Sequence, residues 1–234
     1  IPGAETNNVE IVSGVKTIYI IDANKELWAW GNNESNKLGL TQEEQISYTG
    51  RDIVKLNIFN KKVYKVFGLE YATYVITINE EGIYELYGCG YNTYGELGIG
   101  SLETTQTQFN KIEFDNPENI KTITAKGRDD KNTLILTNEG KLYFAGLKSN
   151  ISFLFNNTNN SITKFTEICN GIYGTKFASK IIDVVNGIHT NNPWNFILTE
   201  DGNLYKMSAT GIELQNFNTS DGDNVIEDSG GVQK

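Results

Sequence analysis

The stretch YGCGYNTYGELGIG, residues 87–100, carries five glycines in fourteen positions. A run so rich in glycine poses a choice between a phosphate-cradling loop and a turn that only bends the chain. A phosphate loop needs a Lys after its last Gly and a helix behind it, and neither follows here. The spacing also misses the dinucleotide fingerprint, because Gly88 and Gly90 are followed by Thr93 where a third Gly is required. The glycines therefore read as turn residues, supplying backbone angles that other residues avoid. Leu97 and Ile99 are expected to pack the loop against its own strands. Asn92 and Asn32 are suited to hydrogen-bond a turn through their side chains.

Working outward, the run belongs to a repeat. Four segments share a hairpin: TIYIIDANKELWAWGNN (17–33), YVITINEEGIYELYGCGYN (74–92), TLILTNEGKLYFAG (133–146) and NFILTEDGNLYKMSATG (195–211). Their turns DANKE, NEEG, NEG and EDG carry the Asn and Gly that accept positive φ. The flanking alternation of apolar residues predicts half-buried strands. A short apolar strand ending in Gly precedes each hairpin, at VEIVSG, VYKVFG, IKTITAKG and IIDVVNG, with glycines 14, 68, 127 and 187 spaced 54, 59 and 60 apart. A fourth strand follows each at 52–58, 108–114, 162–168 and 211–217.

Four strands in fixed order, repeated, predict an all-β fold: a β-propeller of four-stranded antiparallel blades. The units run over about 9–58, 63–114, 120–168 and 181–217, within one domain spanning 1–234. NVIEDSGGVQK (224–234) resembles the opening NVEIVSGVK and reads as the start of a fifth unit. No helix is expected, and NNTNNS (156–161) reads as a polar loop between strands.

GCGYNTYGELGIG and AWGNNESNKLGL resemble the repeat of the regulator-of-chromosome-condensation family, which runs through a hairpin and an aromatic strand into G-x-N-x-x-G-x-L-G. The residues carrying the likeness are Gly88, Gly90, Gly95 and Gly98 in one unit and Gly31 and Gly39 in another. AGLKSN keeps only the first Gly, and KMSATG loses the motif. The resemblance implies a seven-bladed ring of which this chain holds four blades. Missing blades, a second copy or a partner would then complete the ring, since an open arc exposes strand edges. Some members of that family are guanine nucleotide exchange factors, some sit in ubiquitin ligases, and some secreted bacterial ones inhibit enzymes. The family's exchange loops find no counterpart in these units.

Composition narrows the partners. A net charge of −9 and no basic cluster exclude a phosphate-backbone partner. No apolar run approaches the ~20 residues of a membrane span. The opening IPGAETNNVE lacks a signal-peptide pattern and an initiator Met, which suits a mature or excised segment. Cys89 and Cys169 share no metal-ligand motif, and a single bridge between them stays open.

No catalytic set is expected. His189 is the one histidine, and no Gly-x-Ser-x-Gly accompanies it. Its reading is structural, with partner contact as the alternative. SDGDNVIED (220–228) is acidic but fails the calcium-loop template at Val225, so no metal is expected, nor any cofactor. Trp28 and Trp30 share a strand face, either as packing between blades or as a recognition surface. Trp194, after a Pro in a polar loop, is the stronger exposed anchor. Five Asn-x-Ser/Thr sequons, at Asn33, Asn150, Asn156, Asn159 and Asn218, match the expectation of so Asn-rich a chain.

These readings make the chain a non-enzymatic, protein-binding propeller scaffold. The alternative is a secreted or cell-surface adhesive component, an extracellular setting being slightly favoured. An exchange-factor-like regulator ranks third.

Overall fold

The computed structural model describes residues 10–125, 131–148, 151, 160–168, 177, 179–187, 194–208 and 211–215. The starting 224–234 of a fifth unit, His189, Cys169, the acidic run 220–228 and four of the five sequons lie outside the described residues.

Among the described residues sixteen strands form four sheets, and each sheet is a meander of four consecutive antiparallel strands. Blade 1 comprises β1 (Glu10–Gly14), β2 (Thr17–Ile21), β3 (Leu27–Gly31) and β4 (Val54–Leu56). Blade 2 comprises β5 (Lys62–Gly68), β6 (Ala72–Ile78), β7 (Tyr84–Tyr91) and β8 (Thr105–Ile112). Blade 3 follows with β9 (Ile120–Ala125), β10 (Asn132–Thr137), β11 (Leu142–Leu147) and β12 (Ser161–Glu167). Blade 4 holds β13 (Ile181–Gly187), β14 (Trp194–Thr199), β15 (Leu204–Ser208) and β16 (Gly211–Leu214).

The hairpin turns close as their sequences require. In blade 2 the Asn79 side chain accepts N–H bonds from Glu81 (3.0 Å) and Ile83 (2.8 Å), while Gly82 takes φ +78°. The third strand bulges against the fourth in two blades, between Gly88 and Gly90 and between Phe144 and Gly146. Bulges of this kind twist and re-aim a strand end.

Alternation underestimates burial. β6 is buried at all but its last residue and β10 along its whole length, on both faces rather than one. The reason is stacking: blade 2 lies between blades 1 and 3, so each face of its second strand meets a neighbour. One apolar cluster joins Tyr19, Leu27 and Leu38 of blade 1 to Val66, Val75 and Tyr87 of blade 2. A second joins Tyr74, Leu86 and Leu97 to Ile120, Ile123 and Ile135 of blade 3, and a third joins Leu134, Phe144 and Ile151 to Val184, Ile197 and Met207 of blade 4. Each such side chain contributes about 1.5–3 kcal/mol on leaving water.

First strands lie at the narrow edge of this stack. A β-carbon on Gly14 would stand 3.1 Å from the Cα of Gly68, so β1 and β5 approach as closely as glycine permits. A Cβ on Gly68 would meet the Tyr19 ring at 2.4 Å. The strand-ending glycines of the repeat thus admit a tyrosine between blades.

The expectation of no helix fails in one loop. Gln42–Ser47 is a short α-helix, α1, held by a capping box in which Thr41 and Glu44 exchange side-chain and backbone bonds. The Thr-x-x-Glu capping signal is present in TQEE, within a chain whose periodicity is otherwise that of strands.

Three third strands end on the same device. Gly31, Gly90 and Gly146 take φ of +122°, +117° and +114°, and an added Cβ would lie 2.4, 2.2 and 2.3 Å from the carbonyl oxygens of Lys16, Tyr71 and Lys131. The following N–H groups, of Asn32, Tyr91 and Leu147, donate to those same oxygens at 2.8–2.9 Å. Side chains are therefore excluded twice over, by φ and by contact. Gly90→Ala is expected to lower the unfolding free energy by at least about 2 kcal/mol in urea titration. Gly82→Ala, whose Cβ meets nothing within 4 Å, should cost only about 1 kcal/mol.

Candidate partner-binding face

An antiparallel meander sends alternate connections to opposite ends of each blade. One end carries the tight hairpin turns; the other carries the loops 32–53 and 92–104. The two loops share a frame. Asn33 Oδ1 accepts the Leu38 N–H at 2.9 Å, and Asn92 Oδ1 accepts the Leu97 N–H at 3.0 Å. The partner of Asn92 in the repeat is therefore Asn33, not Asn32, whose Oδ1 takes the Glu34 N–H at 2.6 Å. Asn36, with φ +57°, stands in for Gly95, with φ +82°. Asn accepts this left-handed conformation at small cost.

These loops do not close on their own blade alone. Leu97 is fully buried in the cluster joining blades 2 and 3. A Cβ on Gly98 would meet the Phe165 ring of β12 at 2.4 Å, and one on Gly39 would meet the Phe109 ring of β8 at 2.5 Å. Ile99 forms a bridge to Lys164, and the Gly100 N–H donates to Thr163 O at 2.7 Å. Each Gly-x-Leu-Gly loop thus lands on the fourth strand of the next blade. The glycines quoted from sequence are structural, and the packing of Leu97 and Ile99 is between blades.

At one step of this frame the loops differ in charge. Lys37 and Glu96 each precede the plugging Leu. Lys37 is 1% exposed, and its ammonium donates to Val15 O (2.5 Å) and Glu70 O (3.2 Å). Burial pulls its pKa down. Glu96 is 6% exposed. Its Oε2 accepts the Tyr94 N–H at 2.7 Å, while Oε1 finds no hydrogen-bond partner among the described residues. Burial lifts its pKa; the backbone N–H and Lys131 pull it part of the way back. Glu96 lines a cleft of about 30 Å³ between blades 2 and 3, with Glu70, Tyr71, Tyr91, Lys131 and Asn132. The Lys131 ammonium sits 4.4 Å from the centre of the Tyr94 ring. That volume admits a water or one small polar head.

A groove of about 510 Å³ lies at the hairpin end between blades 1 and 2, lined in part by Lys25, Lys55, Lys61 and Lys62. Two of its lysines are occupied, Lys55 by Glu26 at 2.6 Å and Lys61 by Glu85 at 2.5 Å. Cys89 is a free thiol, fully buried, donating to Lys37 O. Burial raises its pKa and keeps it protonated. Trp194 opens β14, paired with Gly187, rather than standing in the preceding loop. Among the described residues no group of three His, Cys, Asp or Glu could hold a metal ion, and no helix is long and apolar enough to cross a membrane.

The Lys37–Glu96 contrast is legible once the units are aligned; the burial of both is not, because charge next to a plugging Leu ordinarily reads as solvated surface. Glu96 binds its proton more tightly folded than unfolded, so its contribution to stability falls as pH rises through the ordinary carboxylate value of 4.5. Glu96→Gln is therefore expected to stabilise the protein on the order of 1 kcal/mol at pH 7. The gain should vanish below about pH 4, where both carry a neutral side chain, as read by thermal melts across pH.

No family model matches the chain. Solved structures do. Yeast RCC1 (Prp20), crystallised with Kap60, matches over 89% of this chain and 45% of its own, with TM-score 0.64 and 18% identity. Prp20p from Saccharomyces cerevisiae, in a structure reported with its binding to Gsp1p and histones, matches over 89% and 47%, with TM-score 0.63 and 18% identity. Human WBSCR16 matches over 92% and 54%, with TM-score 0.64 and 14% identity. The chain spans about half the length of the structures it matches. Identity at this level speaks for the fold alone, and the fold is that of an RCC1-type β-propeller, four of whose blades are the meanders described above.

Proposed function

We propose that this chain is a non-enzymatic, protein-binding propeller module that recognises its partner at the long-loop end, over the cleft between blades 2 and 3. The observation that carries this reading is the buried Glu96 carboxylate, with Oε1 unpartnered among the described residues beside a small opening. One junction earlier, the Lys37 ammonium reaches two backbone carbonyls, one of them Glu70 O. At the Glu96 junction Lys131 already lies in the cleft, and what Oε1 lacks is a hydrogen bond, so the partner would present a donor such as a Lys, Arg or amide side chain. A buried ion pair with a full set of hydrogen bonds is recovered only when both charges are satisfied. The net charge of −9 favours a basic partner over long range.

Structural neighbours lend support of a general kind, since the structures of yeast RCC1 are reported with protein partners. The exchange-factor reading rests on the shared fold alone, because no residue here is carried over to an exchange role. No described residue favours the adhesive reading. Trp194, the first residue of β14, stands at the same end and is a candidate for the rim of the contact; His189, close to it in sequence, lies outside the described residues.

Site-directed photocrosslinking in the native host tests the proposal. A photoreactive residue replacing Tyr91, at the cleft, should capture a protein partner, and one replacing Ile83, at the opposite hairpin end, should not. Capture should fall at least tenfold with Glu96→Ala. Equal capture from both ends, or capture indifferent to Glu96, would overturn the reading.

A further inference from the structure

The four described hairpins close on the same turn, and one of them departs from its residue rule. The fourth residue of each turn donates its N–H to the carbonyl of the first: Lys25 to Asp22 O at 2.9 Å, Gly82 to Asn79 O at 3.1 Å, Gly140 to Thr137 O at 3.0 Å and Gly202 to Thr199 O at 2.9 Å. The three glycines take φ of +78°, +86° and +84°, and Lys25 takes +62°. Space does not reserve the position for glycine, since a Cβ on Gly82 or Gly202 would meet nothing within 4 Å. The left-handed backbone does, and a lysine adopts it only at a cost in stability.

The hairpin that carries Lys25 borders the groove of about 510 Å³ between blades 1 and 2. The Val63 N–H donates to Lys25 O at 2.8 Å, which fixes Lys25 of blade 1 beside Lys62 of blade 2. A glycine would supply that carbonyl equally well, so the bond does not account for the lysine. Lys55 reaches the groove from β4 and Lys61 from the turn 58–61, which closes through the Lys61 N–H on Ile58 O at 2.9 Å. The four lysines stand in three separate stretches of sequence, and only the fold gathers them.

The bonding left over in this groove is one-sided. Glu26 is held by Lys55 at 2.6 Å, and Glu44 Oε2 accepts the Thr41 N–H at 2.7 Å in the helix cap. Lys61 is held by Glu85. Lys25 and Lys62 are exposed, and among the described residues neither ammonium has an ion pair or a hydrogen bond. Asn57 Oδ1 accepts the Asn60 N–H at 3.0 Å, which leaves its amide nitrogen to donate. An ammonium donates and never accepts, so a molecule that completes this groove is acidic and rich in acceptors. Behind the lysines lie Leu27, Leu56, Ile58 and Val63, each at most 4% exposed. Such a backing strengthens the attraction between charges in front of it.

We propose that this groove binds a small phosphorylated molecule, with its phosphate groups held by Lys25 and Lys62. A phosphate presents three strong acceptor oxygens, and lysine meets it as a point charge. The volume is that of a small-molecule site. A nucleic-acid strand or an acidic protein is the poorer occupant, because it would run on from four lysines over a chain whose net charge is −9. The groove lies at the opposite end from the Glu96 cleft and at a different junction, so neither reading depends on the other.

Isothermal titration of the native full-length protein with pyrophosphate tests the proposal. Lys25→Gly and Lys62→Gln are compared with Lys141→Gln, which removes the same charge at the blade 3 hairpin. The expected result is saturable binding, weakened about tenfold by Lys25→Gly and by Lys62→Gln, and less than about twofold by Lys141→Gln. Lys25→Gly should melt no lower than the unaltered protein, because it restores the residue the turn favours. Lost binding is thereby separated from a lost fold. Absence of saturable binding, or equal loss in all three variants, would overturn the proposal. A Lys25→Gly protein that melts lower would do so too, by showing that the lysine serves the fold. Binding seen only with a polyglutamate peptide, or only with vesicles containing a phosphatidylinositol phosphate, would replace the small molecule by an acidic protein or a membrane surface.

Discussion

The structure depends on a side chain that belongs to one blade and is satisfied by the next. Tyr19 and Tyr74 are wholly buried; the Tyr19 hydroxyl meets Thr73 across a junction, and that of Tyr74 lies between a carbonyl of its own blade and Thr133 of the next. Tyr74 donates to Glu96 O at 2.9 Å and lies 3.3 Å from the hydroxyl of Thr133. Burial drives both phenol pKa values up, so the groups remain neutral donors at any ordinary pH. A buried phenol without such a partner would cost roughly 1–3 kcal/mol, so each clasp holds its two blades at one spacing. Gly14 and Gly68 make room for the ring, and the apolar clusters complete the junction on either side of it.

The glycine turns extend the same logic to the wide edge. With φ near +120° at Gly31 and Gly90, the chain leaves its third strand at an angle no side chain allows, then crosses to the fourth strand of the following blade. Leu38 and Leu97 anchor that crossing from inside. Placing a charged residue beside each anchor is what creates a polar position within the junction: Lys37 satisfies it internally, whereas Glu96 leaves an oxygen over for something else. The recognition proposed at this end would then be a by-product of how the blades are fastened.

Much of this was legible in the sequence. The spacing of Gly14, Gly68, Gly127 and Gly187 marked the units, and GYNTYGELG marked the turn, because both reflect local backbone demands. What lay between blades was harder to read. Tyr19–Thr73 and Tyr74–Thr133 are 54 and 59 residues apart, and no local pattern announces a hydroxyl pair at that distance. The double-sided burial of β6 was hidden because Thr73 and Thr77 interrupt its apolar run and mimic an exposed face. Helix α1 was missed because six residues are too few to show a period, although its capping box was present. Trp30, which its strand pattern leaves open to packing or to a surface role, is 46% exposed.

The central claim is that the blades are coupled through the tyrosine clasp. A double-mutant cycle on Tyr74→Phe and Thr133→Val, read by urea denaturation, measures that coupling directly. The account predicts an interaction energy of about 1 kcal/mol, with the double variant less destabilised than the two single losses taken together. Strictly additive losses would show that Tyr74 and Thr133 do not join blades 2 and 3, and would contradict the account.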